Sequence, residues 1–212
     1  MAKAAEPSLY DDAITSLSPG DLWRTLANNM REHLDRFDEI ARLVRRLAPS
    51  TVLDVGCSLG EIGSLLRLSY GSVEYLVGLD FSKAACDFAR EYMNYDETLC
   101  LDASVAHTAL GNQFDMVLCL EVLEHVPDPA AVCANVYHWT RRHALFSCPV
   151  QLHAPDGEFH LRRISAQALC TYVVGAGFAV VDAHFVQSHF CEPWWLGWNF
   201  VLAVKEPKNE QA

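Results

Sequence analysis

The chain has 212 residues, of which 51% are hydrophobic and 20% charged. That is enough for one domain with a full core and is an ordinary globular balance. Sixteen Lys and Arg stand against 27 Asp and Glu, a net charge of −11, which repels phosphate backbones at long range and argues against a nucleic-acid substrate.

In chain order, residues 1–18 are polar and read as loosely ordered. "SPGDLW" offers a helix start, and 22–47 carries apolar residues at helical spacing (Leu22, Leu26, Met30, Leu34, Phe37, Ile40, Leu43, Val44, Leu47). Pro49 closes this helix. Then strands and helices alternate. "TVLDVG" predicts a buried strand, with a helix over 61–68. "YLVGLD" predicts a second strand and 83–92 its helix. "ETLCLD" is a weaker third strand. "FDMVLCL" is a fourth, followed by a helix over 129–139, and "HALFSCP" a fifth. A helix over 165–174 ends at "GAGF", and "AVVDAHFV" and "WNFVLAVKE" form an antiparallel pair. The expectation is α/β: a Rossmann-like doubly wound sheet of about seven strands. The organisation is a tail and helical cap over 1–49, the main domain over 50–206 and a tail over 207–212. An apolar stripe ahead of the first strand must bury against something, and closure over the ligand mouth is the expected use.

The eight cysteines have no C-x-x-C spacing and no zinc pattern, so Cys100, Cys119 and Cys148, set in apolar runs, read as small core residues of a reducing compartment. "MAKAAEPSLYDD" lacks an apolar targeting segment, and no apolar run reaches membrane-spanning length. A cytoplasmic protein without integral membrane association is expected.

"LDVGCSLG" lies between the first strand and its helix, and Gly56 and Gly60 let the backbone turn tightly against a ligand. Dinucleotide-binding proteins use such a loop too. Asp80 ends the second strand and Asp102 the third. Carboxylates closing successive strands gather at the carboxyl edge of the sheet, where ligands bind, and the first of them can accept from ribose hydroxyls. After the fourth strand Glu121, Glu124 and His125 follow one another closely. If a helical turn starts near Glu121, they share one face at i, i+3 and i+4. Two carboxylates and an imidazole suit Mg²⁺ or Mn²⁺. His125 as a general base, or a purely structural cluster, are the other readings.

The set "VLDVGCSLG", "LVGLDFS", "LCLDAS" and "FDMVLCLEVLEHVPDP" resembles the class I S-adenosylmethionine-dependent methyltransferases, and looks most like the branch that includes the ubiquinone-biosynthesis O-methyltransferases. The resemblance runs over 51–206. It implies that Asp54 and the loop of Gly56, Cys57, Ser58 and Gly60 hold the methionine end of the cofactor. It implies that Asp80, with Phe81 and Ser82, binds the ribose and adenine, and that Asp102 and Ala103 read the adenine. Leu120 and Glu121 would line the wall beside the sulfonium. Ser58 stands where the pattern usually has glycine, and fits if its backbone angles are ordinary. Relatives that bind a metal bring a further histidine after the fifth strand, and "DGEFHLRR" supplies His160, with His153 nearby. The implied activity is methylation of a small molecule, most readily at oxygen. The alternatives are a metal-dependent RNA 2′-O-methyltransferase, since those enzymes resemble this arrangement as well, and a non-catalytic cofactor-binding or scaffold protein. A nicotinamide-dependent oxidoreductase would share the loop and ribose carboxylate but lacks its hydride-transfer signature here. Trp194, Trp195 and Trp198 read as a substrate pocket, a homodimer patch, a membrane contact or ordinary packing. Arg162 and Arg163 are candidates to meet an acidic substrate.

Overall fold

The computed structural model describes residues 7–69, 71–151, 160–188 and 196–206. One seven-stranded sheet runs in the order β3-β2-β1-β4-β5-β7-β6. Its strands are β1 (Thr51–Val55), β2 (Tyr75–Asp80), β3 (Glu97–Cys100), β4 (Phe114–Leu120), β5 (Thr140–Gln151), β6 (Ala179–Gln187) and β7 (Leu196–Val204). The first five are parallel, and β7 runs antiparallel to both β5 and β6. Central β1 pairs Val52 with Leu76 on one side and Met116 on the other. The strand order reverses between β1 and β4, so a crevice opens at their carboxyl ends.

Helices α1 (Pro7–Thr15), α2 (Pro19–Glu32), α3 (Leu34–Leu47), α4 (Glu61–Ser69), α5 (Lys83–Tyr92), α6 (Pro129–Trp139) and α7 (Ala166–Gly175) complete the fold, with a short 3-10 turn at Thr108–Leu110. Side-chain caps mark three of the starts. Ser82 accepts from Ala85 N–H, Asp128 from Ala130 and Ala131, and Ser165 from Ala168. Every strand and every helix after residue 50 lies where the sequence pattern puts it to within a few residues. The largest difference is β5, which extends from 143–149 to Thr140–Gln151 because β4 pairs with it at Thr140 and β7 as far as Gln151.

The amino-terminal region differs from expectation twice. Residues read as loosely ordered form α1. Its Asp11 accepts hydrogen bonds from Ser82 Oγ at 2.5 Å and Ala84 N–H at 3.1 Å, so this polar helix is held by capping the start of α5. The single helix expected over 22–47 is two, broken at His33 (φ −110°, ψ 18°). One apolar stripe serves two cores. Leu26 of α2 packs with Ile14, Phe88 and Ala89. Phe37, Ile40, Leu43 and Val44 of α3 pack on the sheet with Val52, Met116 and Leu118. Each such buried side chain contributes roughly 1.5–3 kcal/mol, so both halves are firmly seated and the chain must bend between them. Among the described residues no helix is long and apolar enough to cross a membrane.

Candidate active site

A cavity of about 520 Å³ opens at the carboxyl ends of β1, β2 and β4. Its wall includes Asp54, Gly56, Cys57, Ser58, Asp80, Phe81, Asp102, Ala103, Leu120, Glu121 and His125, together with His33 and Arg36. The first eleven were singled out in the sequence. The last two were not.

The loop after β1 is fixed from below. Gly56 and Cys57 both donate their N–H groups to Leu79 O, at 2.7 and 3.0 Å. Gly56 (φ 72°) and Gly60 (φ 96°) sit in the left-handed region, which glycine enters without steric cost. Ser58 is also there, at φ 48°. Its backbone angles are therefore not the ordinary ones expected of a serine. Its N–H donates to Asp80 Oδ2 at 3.0 Å, a charge-assisted bond that offsets a strain of about 1 kcal/mol. Asp80 Oδ1 accepts from Ser82 N–H at 2.9 Å. Burial pushes the Asp80 carboxyl up and these N–H groups pull it back. A carboxylate has lone pairs for about four partners, so Asp80 ties down the loop and still has acceptor capacity toward the cavity.

A Cβ added at Gly56 would lie 2.5 Å from Val122 Cγ2. The glycine loop and the segment after β4 are thus in direct contact. Gly56→Ala is expected to cost about 2–4 kcal/mol of stability, from left-handed backbone strain plus overpacking. Thermal unfolding of Gly56→Ala alone and with Val122→Ala tests this. The second change should recover only the part due to the clash, and full recovery would show that the backbone angle carries no cost.

Asp54 is 2% exposed and accepts from Tyr95 Oη at 2.6 Å, while Gly63 N–H donates to the same hydroxyl at 3.1 Å. Burial pushes its carboxyl up to about 7, helped by Glu61 and Asp80 and opposed by Tyr95 and Arg36. On the far side of the cavity, Asp102 accepts from Ser104 N–H at 2.8 Å and Ser104 Oγ at 2.7 Å.

The segment after β4 is not the helical turn expected from the spacing. Glu121 has φ 58°, and the chain proceeds through turns, with His125 N–H donating to Val122 O. The left-handed angle gives the two neighbouring carboxylates different partners. Glu121 turns toward β5, where Ser147 Oγ donates to its Oε1 at 2.7 Å. Its Oε2 is 3.9 Å from Arg36 Nη1, and Trp198 also hydrogen-bonds its side chain. Glu124 is 1% exposed, and its carboxyl lies by Cys148, also of β5. Neither of its oxygens makes a hydrogen bond of good geometry among the described residues. Burial and the Glu121 charge hold its carboxyl well above the usual range. His125 Nε2 is 3.9 Å from its Oε1, and the His160 ring lies 4.7 Å from that of His125. One ligand atom from each of Glu124, His125 and His160 falls within 4.8 Å of the others. Among the described residues this is the one such group of three, and Glu121 stands outside it.

His160 is brought there by backbone docking. Leu161 N–H donates to Glu124 O at 2.8 Å. Arg162 donates to Leu123 O, Val126 O and Pro127 O. Arg162 is therefore a clamp on the segment after β4 rather than a group offered to an acidic substrate. Trp198 is 1% exposed and belongs to the core beneath α3, edge-on to His33 at 5.4 Å. Of the readings for the tryptophans, packing describes Trp198, whose indole also reaches Glu121. Trp194, Trp195 and His153 lie outside the described residues.

His33 and Arg36 come from α3 and its start. Arg36 lies over the rings of Phe37 and Trp198, and burial with the Arg36 charge lowers His33 to about 3, so this imidazole is neutral throughout the physiological range. A signal existed in the sequence. Arg36 shares the helix face of Ile40 and Leu43, and a cation interrupting an apolar stripe is costly unless it has a partner.

Residues 53–146 match the family model described as "Methyltransferase domain". The ubiquinone biosynthesis O-methyltransferase of Haemophilus ducreyi is 30% identical over 153 residues, 68% of this chain and 58% of that protein. The enzyme of the same name from Thiobacillus denitrificans is 38% identical over 95 residues, 42% of this chain and 38% of that protein. The chain therefore spans less than two thirds of the length of these relatives. Magnesium protoporphyrin IX methyltransferase from Synechocystis PCC 6803, solved with S-adenosylmethionine bound, superposes with a TM-score of 0.67 at 17% identity, covering 97% of this chain and all of that one. The methyltransferase domain of bacterial CtHen1 superposes at 0.64, also at 17% identity, covering 82% and 100%. At these identities the likeness is one of fold. The strand order and the glycine loop with its strand-end carboxylates agree with the match of residues 53–146 to a methyltransferase domain.

Proposed function

We propose that the chain transfers a methyl group from S-adenosylmethionine to an oxygen of a small molecule. One observation carries this reading: the cavity that holds the glycine loop, Asp80 and Asp102 is the same cavity that holds Glu121 and His125. Cofactor-holding and acceptor-activating residues thus share one space. The net charge of −11 favours a small acceptor over RNA, and the relatives named as O-methyltransferases support oxygen.

The residues fit the cofactor. Gly56, Cys57, Ser58 and Gly60 cradle its methionine end, with Asp54 toward the ammonium. Arg36, from α3, supplies the positive charge for the carboxylate. Asp80 takes the ribose hydroxyls, with Phe81 and Ser82 beside it. Asp102 and the Ala103 N–H read the adenine. Leu120 and Glu121 form the wall where the reacting centres meet. When bound, the cofactor supplies a methyl group already activated by a sulfonium. The protein has then to align the acceptor and remove its proton. Without a cation, His125 would accept that proton. Helix α3, through His33 and Arg36, covers the cavity and limits water.

Glu124, His125 and His160 also fit a divalent cation. Glu124 is a buried carboxylate without a good hydrogen bond, and two imidazoles complete an O/N donor set suited to Mg²⁺ or Mn²⁺. A cation there would lower the pKa of an acceptor hydroxyl.

Asp80→Ala is expected to weaken S-adenosylmethionine binding at least about tenfold, because it removes ribose acceptors of about 1.5–3 kcal/mol each and frees the Ser58 N–H. Calorimetry reads the affinity and circular dichroism the fold. Unchanged affinity would reject the assignment. Incubation with methyl-labelled cofactor and a panel of phenols, catechols and alcohols tests the reaction. Cofactor binding without transfer to any acceptor would favour the scaffold reading.

A further inference from the structure

Tyr95 lies outside the cavity wall, yet its ring fills a space that three glycines leave open. A Cβ added at Gly63 of α4 would lie 2.4 Å from its Cε2 and Cζ, one at Gly78 of β2 3.1 Å from its Cε1, and one at Gly60 of the loop 3.1 Å from its Cε2. The chain beside it is pinned to the start of β2. Asp96 N–H donates to Leu76 O at 2.9 Å, and Leu76 N–H donates to Asp96 Oδ2 at 2.7 Å. The ring is thus confined, and its hydroxyl is aimed. It donates to Asp54 Oδ2 at 2.6 Å and accepts from Gly63 N–H at 3.1 Å. That N–H is one of the donors a helix start leaves without a partner. By engaging an oxygen lone pair it leaves the O–H to point at Asp54.

We propose, on the function read above, that Tyr95 is a positioning residue for cofactor binding, whose hydroxyl orients the Asp54 carboxylate toward the ammonium of the ligand and favours its charged form. Burial opposes that charge most, and the Tyr95 hydroxyl is the largest influence in its favour. Glu61 of α4 and Asp80 of β2 work against the charge, and Arg36 of α3 works for it. The Cys57 thiol is pushed up, by Cys86 first and then by burial, and stays neutral. Burial and Asp54 push the Tyr95 hydroxyl itself well above its ordinary value, so it is a donor throughout the range in which Asp54 titrates. A ligand's ammonium then meets a carboxylate that is already held in place and needs no reorganisation.

Tyr95→Phe keeps the ring in its slot and removes only the oxygen. Calorimetry from pH 6 to 9 should show the rise in S-adenosylmethionine affinity with pH moved upward by about one unit, roughly the worth of one hydrogen bond to a charged group. At pH 7 the variant should bind about fivefold more weakly, and by pH 9 the two proteins should converge. Titration of the ligand cancels in the ratio of the two affinities. In an Asp54→Asn background the same change should cost less than about twofold. A loss equal at every pH, or one that persists in the asparagine background, would make the hydroxyl a structural prop and overturn the inference, as would unchanged binding. If the unsubstituted protein bound no cofactor, the proposed function would fail and this role with it. That outcome is read on the parent protein and is distinct from a failure confined to Tyr95.

Discussion

Asp54→Asn is expected to stabilise the folded protein by about 2–4 kcal/mol at pH 8 while weakening its hold on a cationic ligand. The cause is the buried carboxyl at the end of β1, raised from 3.8 to about 7. Below pH 3.8 folded and unfolded chains both carry its proton, and the group does not alter the balance. Between 3.8 and 7 the unfolded chain has released the proton and the folded one still holds it, so stability falls by about 1.4 kcal/mol for each pH unit. Above 7 both are ionised and the loss is complete, of the order of 4 kcal/mol. Asparagine keeps the acceptor for the Tyr95 hydroxyl and carries no charge, so it removes the slope. Denaturant unfolding of both proteins from pH 4 to 8 checks this. Curves that stay parallel across the range would mean that Asp54 ionises as easily folded as unfolded. A positive charge bound beside Asp54 favours its ionised form, so S-adenosylmethionine should bind more tightly at pH 8 than at pH 6. The asparagine variant should lose most of that dependence. Burying this carboxylate lowers stability in exchange for a site ready to receive a cation.

Chelation is the second large effect. Removing divalent ions is expected to reduce methyl transfer to background, and Mg²⁺ or Mn²⁺ to restore it. Glu124 supplies the reason. A carboxylate that is 1% exposed, beside a second carboxylate and without a good hydrogen bond, is costly to keep charged. A cation shared with His125 and His160 would reverse that balance. Mn²⁺ at about a hundred times its dissociation constant should then stabilise the fold by about 2.7 kcal/mol. Glu124→Gln should abolish that gain, which thermal unfolding reads without any turnover assay. Binding requires ionised Glu124 and neutral imidazoles, so the gain should shrink as pH drops through the histidine range. Full activity in chelator, with no thermal shift from either ion, would remove the cation and leave His125 as the base.

The order of strands and helices after residue 50 was determined by the sequence alone. Period, length and flanking residues suffice there: short apolar runs such as "YLVGLD" alternating with helical stretches read as buried strands, and capping residues such as Ser82, Asp128 and Ser165 mark the helix starts. The glycine loop and the strand-end carboxylates Asp80 and Asp102 were legible for the same reason, since a strand's last residue is delivered to the sheet's carboxyl edge whatever else the chain does. Tertiary structure decided what depends on backbone angle or distant packing. Spacing put Glu121 with Glu124 and His125, but a left-handed angle at Glu121 sent its side chain to Ser147, Arg36 and Trp198. Ser58 adopts the angle that glycine would, because Asp80 holds its N–H. Helix α1 exists because Asp11 caps α5 some seventy residues away, and His33 bends the cap because α2 and α3 bury in different cores. A local pattern records which face of an element is apolar, but not which distant group will meet it, because that partner is chosen by the packing of the whole chain.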